Sequence, residues 1–102
     1  MPDIIEKIDH SLIQHGPENH RIYLMKADPQ DLPDLVYKLD QLAFEKQYSK
    51  IFAKVPGSYK ALFIQNGYRQ EAAVPGFFNG QIEGAFLAKY PDPQRQQDRR
   101  QD

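Results

Sequence analysis

YSKIFAKVPGSYKALFIQNGYRQEAAVPGFFNGQIEGAFLAKY, residues Tyr48 to Tyr90, reads as strand, helix, strand, turn, strand. Ile51 to Val55 (IFAKV) is an apolar strand that Pro56-Gly57 breaks. Ser58 is placed to cap the following helix through its hydroxyl. That helix continues through Ala61, Leu62 and Ile64, and Gly67 supplies the left-handed residue that ends it. Tyr68 to Val74 and Ala85 to Tyr90 are the last two strands. Between them Pro75-Gly76 and Asn79-Gly80 are turn signals flanking Phe77-Phe78.

Upstream, Arg21 to Lys26 (RIYLMK) is a strand whose near-continuous apolar run suits burial on both faces. Asp28-Pro29 signals a helix start, which slips to Asp31 if Pro33 takes the first turn. Leu32, Leu35, Val36, Leu39, Leu42 and Ala43 then form one stripe on a helix of roughly four turns. A strand, a crossover helix and a strand imply a parallel pair, Arg21–Lys26 beside Lys50–Val55. Asp3 to Asp9 and Ser11 to His15 fit a hairpin, although Ile4 to Ile13 also fits one helical face; the strand reading is preferred. Gly16-Pro17-Glu18-Asn19 is a turn. The order is β-β-β-α-β-α-β-β: an α/β chain with two helices packed on a mixed sheet. Residues 1–90 make one domain, and residues 91–102, with no apolar side chain, make a polar tail or linker.

Composition removes several function classes. The chain has 102 residues, 13 Lys and Arg, 14 Asp and Glu, and no cysteine. About 90 residues remain for folding without the polar end, enough for one modest core. A net charge of −1 offers no overall basic field for nucleic acid or an anionic membrane. The missing cysteines exclude disulfides, thiol catalysis and Cys-ligated zinc, and fit a reducing cytoplasm. No apolar run approaches the ~20 residues of a membrane span. The N-terminus carries early acids and reads as no signal peptide.

The helix–Asn-Gly–aromatic junction and the element order resemble the acetyl-CoA-dependent N-acetyltransferase (GNAT) fold without its first strand and first two helices. IEKIDHSLIQHG, RIYLMKADPQDLP, YSKIFAKVP and GYRQEAAVPGFFNG resemble the N-terminal part of the beta-lysine N-acetyltransferases, from Asp3 to about Tyr90. That family is implied to make N-epsilon-acetyl-beta-lysine, a compatible solute, with its acetyl-CoA-binding domain beyond the matched part.

The residues where such a fold holds its cofactor depart from the pattern. The fold offers backbone N–H groups of a glycine-bearing loop to a pyrophosphate at a helix N-terminus. Here the loop is Lys26-Ala27-Asp28-Pro29-Gln30-Asp31-Leu32. It has no glycine, Pro29 removes a donor, and Asp28 and Asp31 put like charge where phosphates would sit. The fold's usual tyrosine general acid corresponds to Phe63, which has no hydroxyl. No catalytic, cofactor-binding or metal-ligating residue is therefore assigned, and no cofactor is expected.

The five-residue spacing of His10, His15 and His20 suits no zinc pattern, and they read as surface or turn residues. Glu71 and Glu83 read as solvent-facing strand acids rather than a catalytic pair. Tyr59, Phe63, Tyr68, Phe86 and Tyr90 read as core. Phe77 and Phe78, between turn signals, are candidate interface residues, with folding back onto the sheet as the competing reading. The expected role is a non-catalytic domain that supports or docks a catalytic acetyltransferase domain, or that associates with itself as a homodimer. The alternatives are a small acetyl-CoA-dependent N-acetyltransferase active as a dimer, and a small-ligand module using the cleft between the central strands.

Overall fold

A computed structural model describes residues 3–91; all of the polar tail but its first residue lies outside them. Six strands form one sheet: β1 (Ile4–Ile8), β2 (Ser11–Gly16), β3 (Arg21–Lys26), β4 (Lys50–Pro56), β5 (Arg69–Phe78) and β6 (Ile82–Lys89), in the order β1-β2-β3-β4-β6-β5. Two helices, α1 (Asp34–Lys46) and α2 (Lys60–Gln65), connect β3 to β4 and β4 to β5. The sheet is mixed: β3 and β4 are parallel and the other neighbours antiparallel. The expected architecture and the β1–β2 hairpin are both present.

Both helices cover the same face. Leu35, Val36 and Leu39 of α1 and Phe63 of α2 join Ile22, Leu24, Ile51, Ala53, Val55, Ala85 and Leu87 in one buried cluster. Successive crossovers moving the same way across a sheet put their helices on one side. The expectation that β3 is covered on both faces is corrected accordingly: Ile22 and Leu24 are buried, whereas Tyr23 and Met25 are half-exposed on a face that neither helix covers.

The helix ends obey local chemistry. The N–H of Gly67 donates to the Ile64 carbonyl (3.1 Å) and that of Tyr68 to the Phe63 carbonyl (3.1 Å). This is a Schellman cap, with Gly67 at φ +96°. Its usual apolar contact is present, since the Phe63 and Tyr68 rings meet edge-on at 5.0 Å. Ser58 does not cap α2; it lies inside a 3-10 turn, Gly57–Tyr59, that leads into the helix without any side-chain cap. Another 3-10 turn, Pro29–Asp31, precedes α1 and is capped by Asp28.

The last hairpin also departs from expectation. β5 runs on through Pro75-Gly76 to Phe78, so Phe77-Phe78 closes a strand rather than sitting in a loop. Register shifts between Gln70 and Ala72 and between Val74 and Phe78 absorb the misfit. An edge strand tolerates proline because its outward N–H has no ladder partner to lose.

Candidate functional site

The parallel ladder between β3 and β4 runs from Arg21–Lys50 to Leu24–Ala53 and stops there. Beyond it, β3 stays with β2 as far as Lys26, and β4 stays with β6 as far as Pro56. The two central strands therefore part at their carboxyl ends, where open α/β sheets accept ligands. The loop between β3 and α1 borders this opening.

From Asp28 onward that loop has no backbone donor to spare. The N–H of Asp28 donates to Ser11 Oγ (3.0 Å) and the N–H of Gln30 to Asp28 Oδ1 (2.8 Å). The Asp31 N–H donates to the Asp28 carbonyl (2.9 Å), and the Leu32 N–H to the Pro29 carbonyl (3.2 Å). Pro29 and Pro33 carry no N–H. Every backbone donor from residue 28 to 33 is thus consumed within the chain. An anion would have to break these bonds and face Asp28, Asp31 and Asp34 as well.

Asp31 is also a latch. It is buried, and its carboxylate accepts from Ser11 Oγ (2.5 Å), the His10 N–H (3.0 Å) and His10 Nδ1 (3.1 Å). The Ser11 hydroxyl holds this carboxyl below its ordinary range, with His10 adding to the effect and burial opposing it. Ser11, His10 and Asp31 are the residue types of a hydrolytic triad in the wrong arrangement. The serine donates to the aspartate and is fully buried, so no base activates an accessible hydroxyl. The cluster fastens the β1–β2 turn to the start of α1. Lys38 of α1 pairs with Asp9 in the same turn and its pKa is raised, chiefly by that bond.

The remaining candidates fall apart in space. Glu71 accepts from the Tyr90 hydroxyl (3.1 Å), while Glu83 pairs with Lys60 (3.7 Å). They share no partner and form no dyad. His10 and His20 are exposed turn residues as expected, but His15 is buried. Its Nε2 bonds to the Glu6 carboxylate and its Nδ1 to the Tyr48 hydroxyl at 2.8 Å. Burial raises the Tyr48 pKa, with the charges of Asp3 and Glu6 adding to it. Among the described residues, no group of three or more potential ligands could hold a metal ion.

Phe63 is fully buried against Tyr68, so the position of the resemblance's general acid holds a core ring. Phe63 and Tyr68 are core as expected; Phe86 and Tyr90 are not, because they lie on the face without helices. Phe77 is 42% exposed, yet it folds onto that face: its ring meets Phe86 (5.3 Å) and Phe78 (5.0 Å) and closes over Gly84. Gly84 is the signal that reading the sequence missed. A Cβ there would come within 2.8 Å of Phe77.

No family model matches the chain. It is 38% identical over 95 residues, 93% of its length, to the beta-lysine N(6)-acetyltransferase of Methanococcus maripaludis. It spans about a third (34%) of that enzyme. Among solved structures, the ribosomal-protein-S18-alanine N-acetyltransferase of Escherichia coli aligns with a TM-score of 0.62 at 13% identity, over 80% of this chain and 60% of that one. The ribosomal-protein-alanine N-acetyltransferase of Brucella melitensis aligns at 0.56 and 14% identity, over 84% and 66%. The fold is thus that of the GNAT acetyltransferases, and the similarity to a beta-lysine N-acetyltransferase extends over nearly the whole chain. Among the described residues no helix is long and apolar enough to cross a membrane.

Proposed function

We propose that this chain is a non-catalytic N-acetyltransferase-like domain that docks against a catalytic acetyltransferase domain, in the same polypeptide or a partner, and supports it. The observation that carries the reading is the spent loop. The donors that would cradle a pyrophosphate are bonded to Ser11, to Asp28 and to the Pro29 carbonyl. Phe63 adds to it, since a buried ring offers no proton. The similarity to a third of a longer acetyltransferase fits a part that works with the remainder. In this reading the assembly acts on beta-lysine in the cytoplasm, and this chain itself holds no cofactor.

Two measurements test it. Calorimetry of the isolated chain with acetyl-CoA gives no binding at a Kd of about 10 μM or tighter, which corresponds to ~7 kcal/mol. A chimera in which this chain replaces the matched third of the Methanococcus maripaludis enzyme keeps acetylating beta-lysine. Acetylation by the isolated chain sinks the reading. One observation favours a second reading, a ligand-binding module or a small acetyltransferase active as a dimer: the β3–β4 opening persists although its loop is closed to anions. Acetyl-CoA binding in the same titration decides for the small acetyltransferase.

A further inference from the structure

Strand register assigns side chains to the two faces of the sheet. Tyr23 of β3, Phe52 of β4, Phe86 of β6 and Phe77 of β5 lie on the face without helices. They form a continuous row across four strands, with successive ring centroids 5.5, 6.1 and 5.3 Å apart. The same register places Lys7, Arg21, Lys50, Lys54 and Arg69 on this face. None of the five forms an ion pair with a carboxylate among the described residues. Among the described strand residues one carboxylate, Glu71, reaches the face from the bulge in β5 and accepts from Tyr90. A chain of net charge −1 has therefore gathered five cations and an aromatic row on one side.

We propose that this face is the docking surface, and that its occupant is an amphipathic segment of the acetyltransferase partner whose apolar ridge is flanked by carboxylates. The inference rests on the docking reading above and gives it a place and a chemistry. Among the described residues neither helix covers this side, and it carries a row of rings where a sheet with one face in water would set polar side chains. The row of rings supplies the apolar contact, and unpaired cations on an aromatic face select carboxylates. A second copy would set five cations against five. Single-stranded nucleic acid needs free ring faces on which bases stack. Here Lys50 Nζ stands over Phe52 (5.4 Å) and Tyr90 (5.5 Å), and Lys54 Nζ over Tyr23 (6.0 Å) and Phe77 (5.8 Å). The rings are moreover tilted or edge-on to one another, at 38° to 83° along the row, and make no flat platform.

The test is to co-express the chain with the portion of the Methanococcus maripaludis enzyme that it does not match, and to treat the purified complex with a zero-length carbodiimide. This reagent joins an amine to a touching carboxylate. Cross-links from Lys50 or Lys54 to Asp or Glu of the partner are expected. The double variant K50E/K54E, with an unchanged urea midpoint, binds at least tenfold more weakly at low salt, and F77S also weakens binding. If a complex forms but its cross-links lie elsewhere and K50E/K54E binds as tightly, the open face is wrong and the docking reading stands. If the unaltered chain forms no complex, the docking reading itself fails. Light scattering that shows a dimer abolished by K50E/K54E, or oligouridine bound more tightly than the partner, overturns the proposal in favour of a second copy or of RNA. The cross-linking uses the unaltered chain, so it decides even if the charge variant does not fold.

Discussion

Tyr68 occupies the residue after the helix-ending glycine, and its ring completes the cap of α2. The side chain is almost wholly buried (3% exposed), yet its hydroxyl has no hydrogen-bond partner among the described residues. A buried hydroxyl left unpaired costs about 1–3 kcal/mol. Tyr68→Phe keeps the edge-on contact with Phe63 and removes that cost. We take the low end and expect a gain of about 1 kcal/mol at pH 7, or roughly 4–8 °C in Tm for a domain of this size. A second signature separates this cause from a general packing effect. Burial, and then the charge of Asp40, pushes the Tyr68 pKa far above its ordinary value. Above about pH 10 the unfolded chain loses a proton that the folded chain keeps. Stability then falls by about 1.4 kcal/mol per pH unit, and the variant is free of this slope. Its advantage grows to about 2.4 kcal/mol near pH 11. Urea unfolding of both proteins at pH 7 and pH 11 measures it. A less stable variant at pH 7, or a gap that does not change with pH, refutes the reasoning, because either would mean that the hydroxyl has a partner.

Other outcomes follow from the same geometry. Asp31→Asn flattens the acid limb of stability: the folded carboxyl titrates below its unfolded value of about 3.9, so its contribution is complete above that value and is lost as pH falls below it. Urea midpoints between pH 5 and 2.5 follow this. Gly67→Ala costs about 1–2 kcal/mol, since an L-residue is strained at φ +96° and the new Cβ lies 3.2 Å from Lys89 Cε, which must give way; thermal denaturation reads it. D28G/D31G lets the loop reopen but yields no acetylation in a coupled assay, because Phe63 still lacks a hydroxyl. Replacing Phe77 and Phe78 together by Ser leaves the fold intact by circular dichroism while weakening docking, since the Phe77 ring lies on the face without helices, away from the buried core.

The elements that sequence discloses here are those fixed by local chemistry. Asn66-Gly67 before an aromatic gives the Schellman cap, because few residues other than glycine reach φ +96° and the next residue, Tyr68, supplies the apolar contact. The stripe from Leu35 to Ala43 gives α1, and its length between two apolar strands gives the parallel pair. What stayed hidden depends on partners distant in the chain. Pro75-Gly76 looks like a turn until β6 supplies the neighbour that lets an edge strand carry it. His15 looks like a surface residue until Glu6 and Tyr48 arrive on its two nitrogens. Asp28 and Asp31 are visible as carboxylates at a helix start, but their engagement with Ser11, His10 and Gln30 is not.

The basic face belongs to the same class of hidden property, with one difference. Net charge erases it, because carboxylates on the helices, in the turns and on the other face balance the five cations. Alternation along a strand would have exposed part of it. Lys50, Phe52 and Lys54 follow one another at a spacing of two and must share a face. Register then adds Arg21 beside Lys50 and Tyr23 beside Phe52, and β6 brings Phe86 opposite Lys54. Gly84, whose missing side chain admits the Phe77 ring, completes the row. From residue 28 to 33 the loop before α1 has no backbone donor free, while the face without helices carries Lys50 and Lys54 over rings, with no carboxylate partner among the described residues. These two features are what the docking proposal rests on.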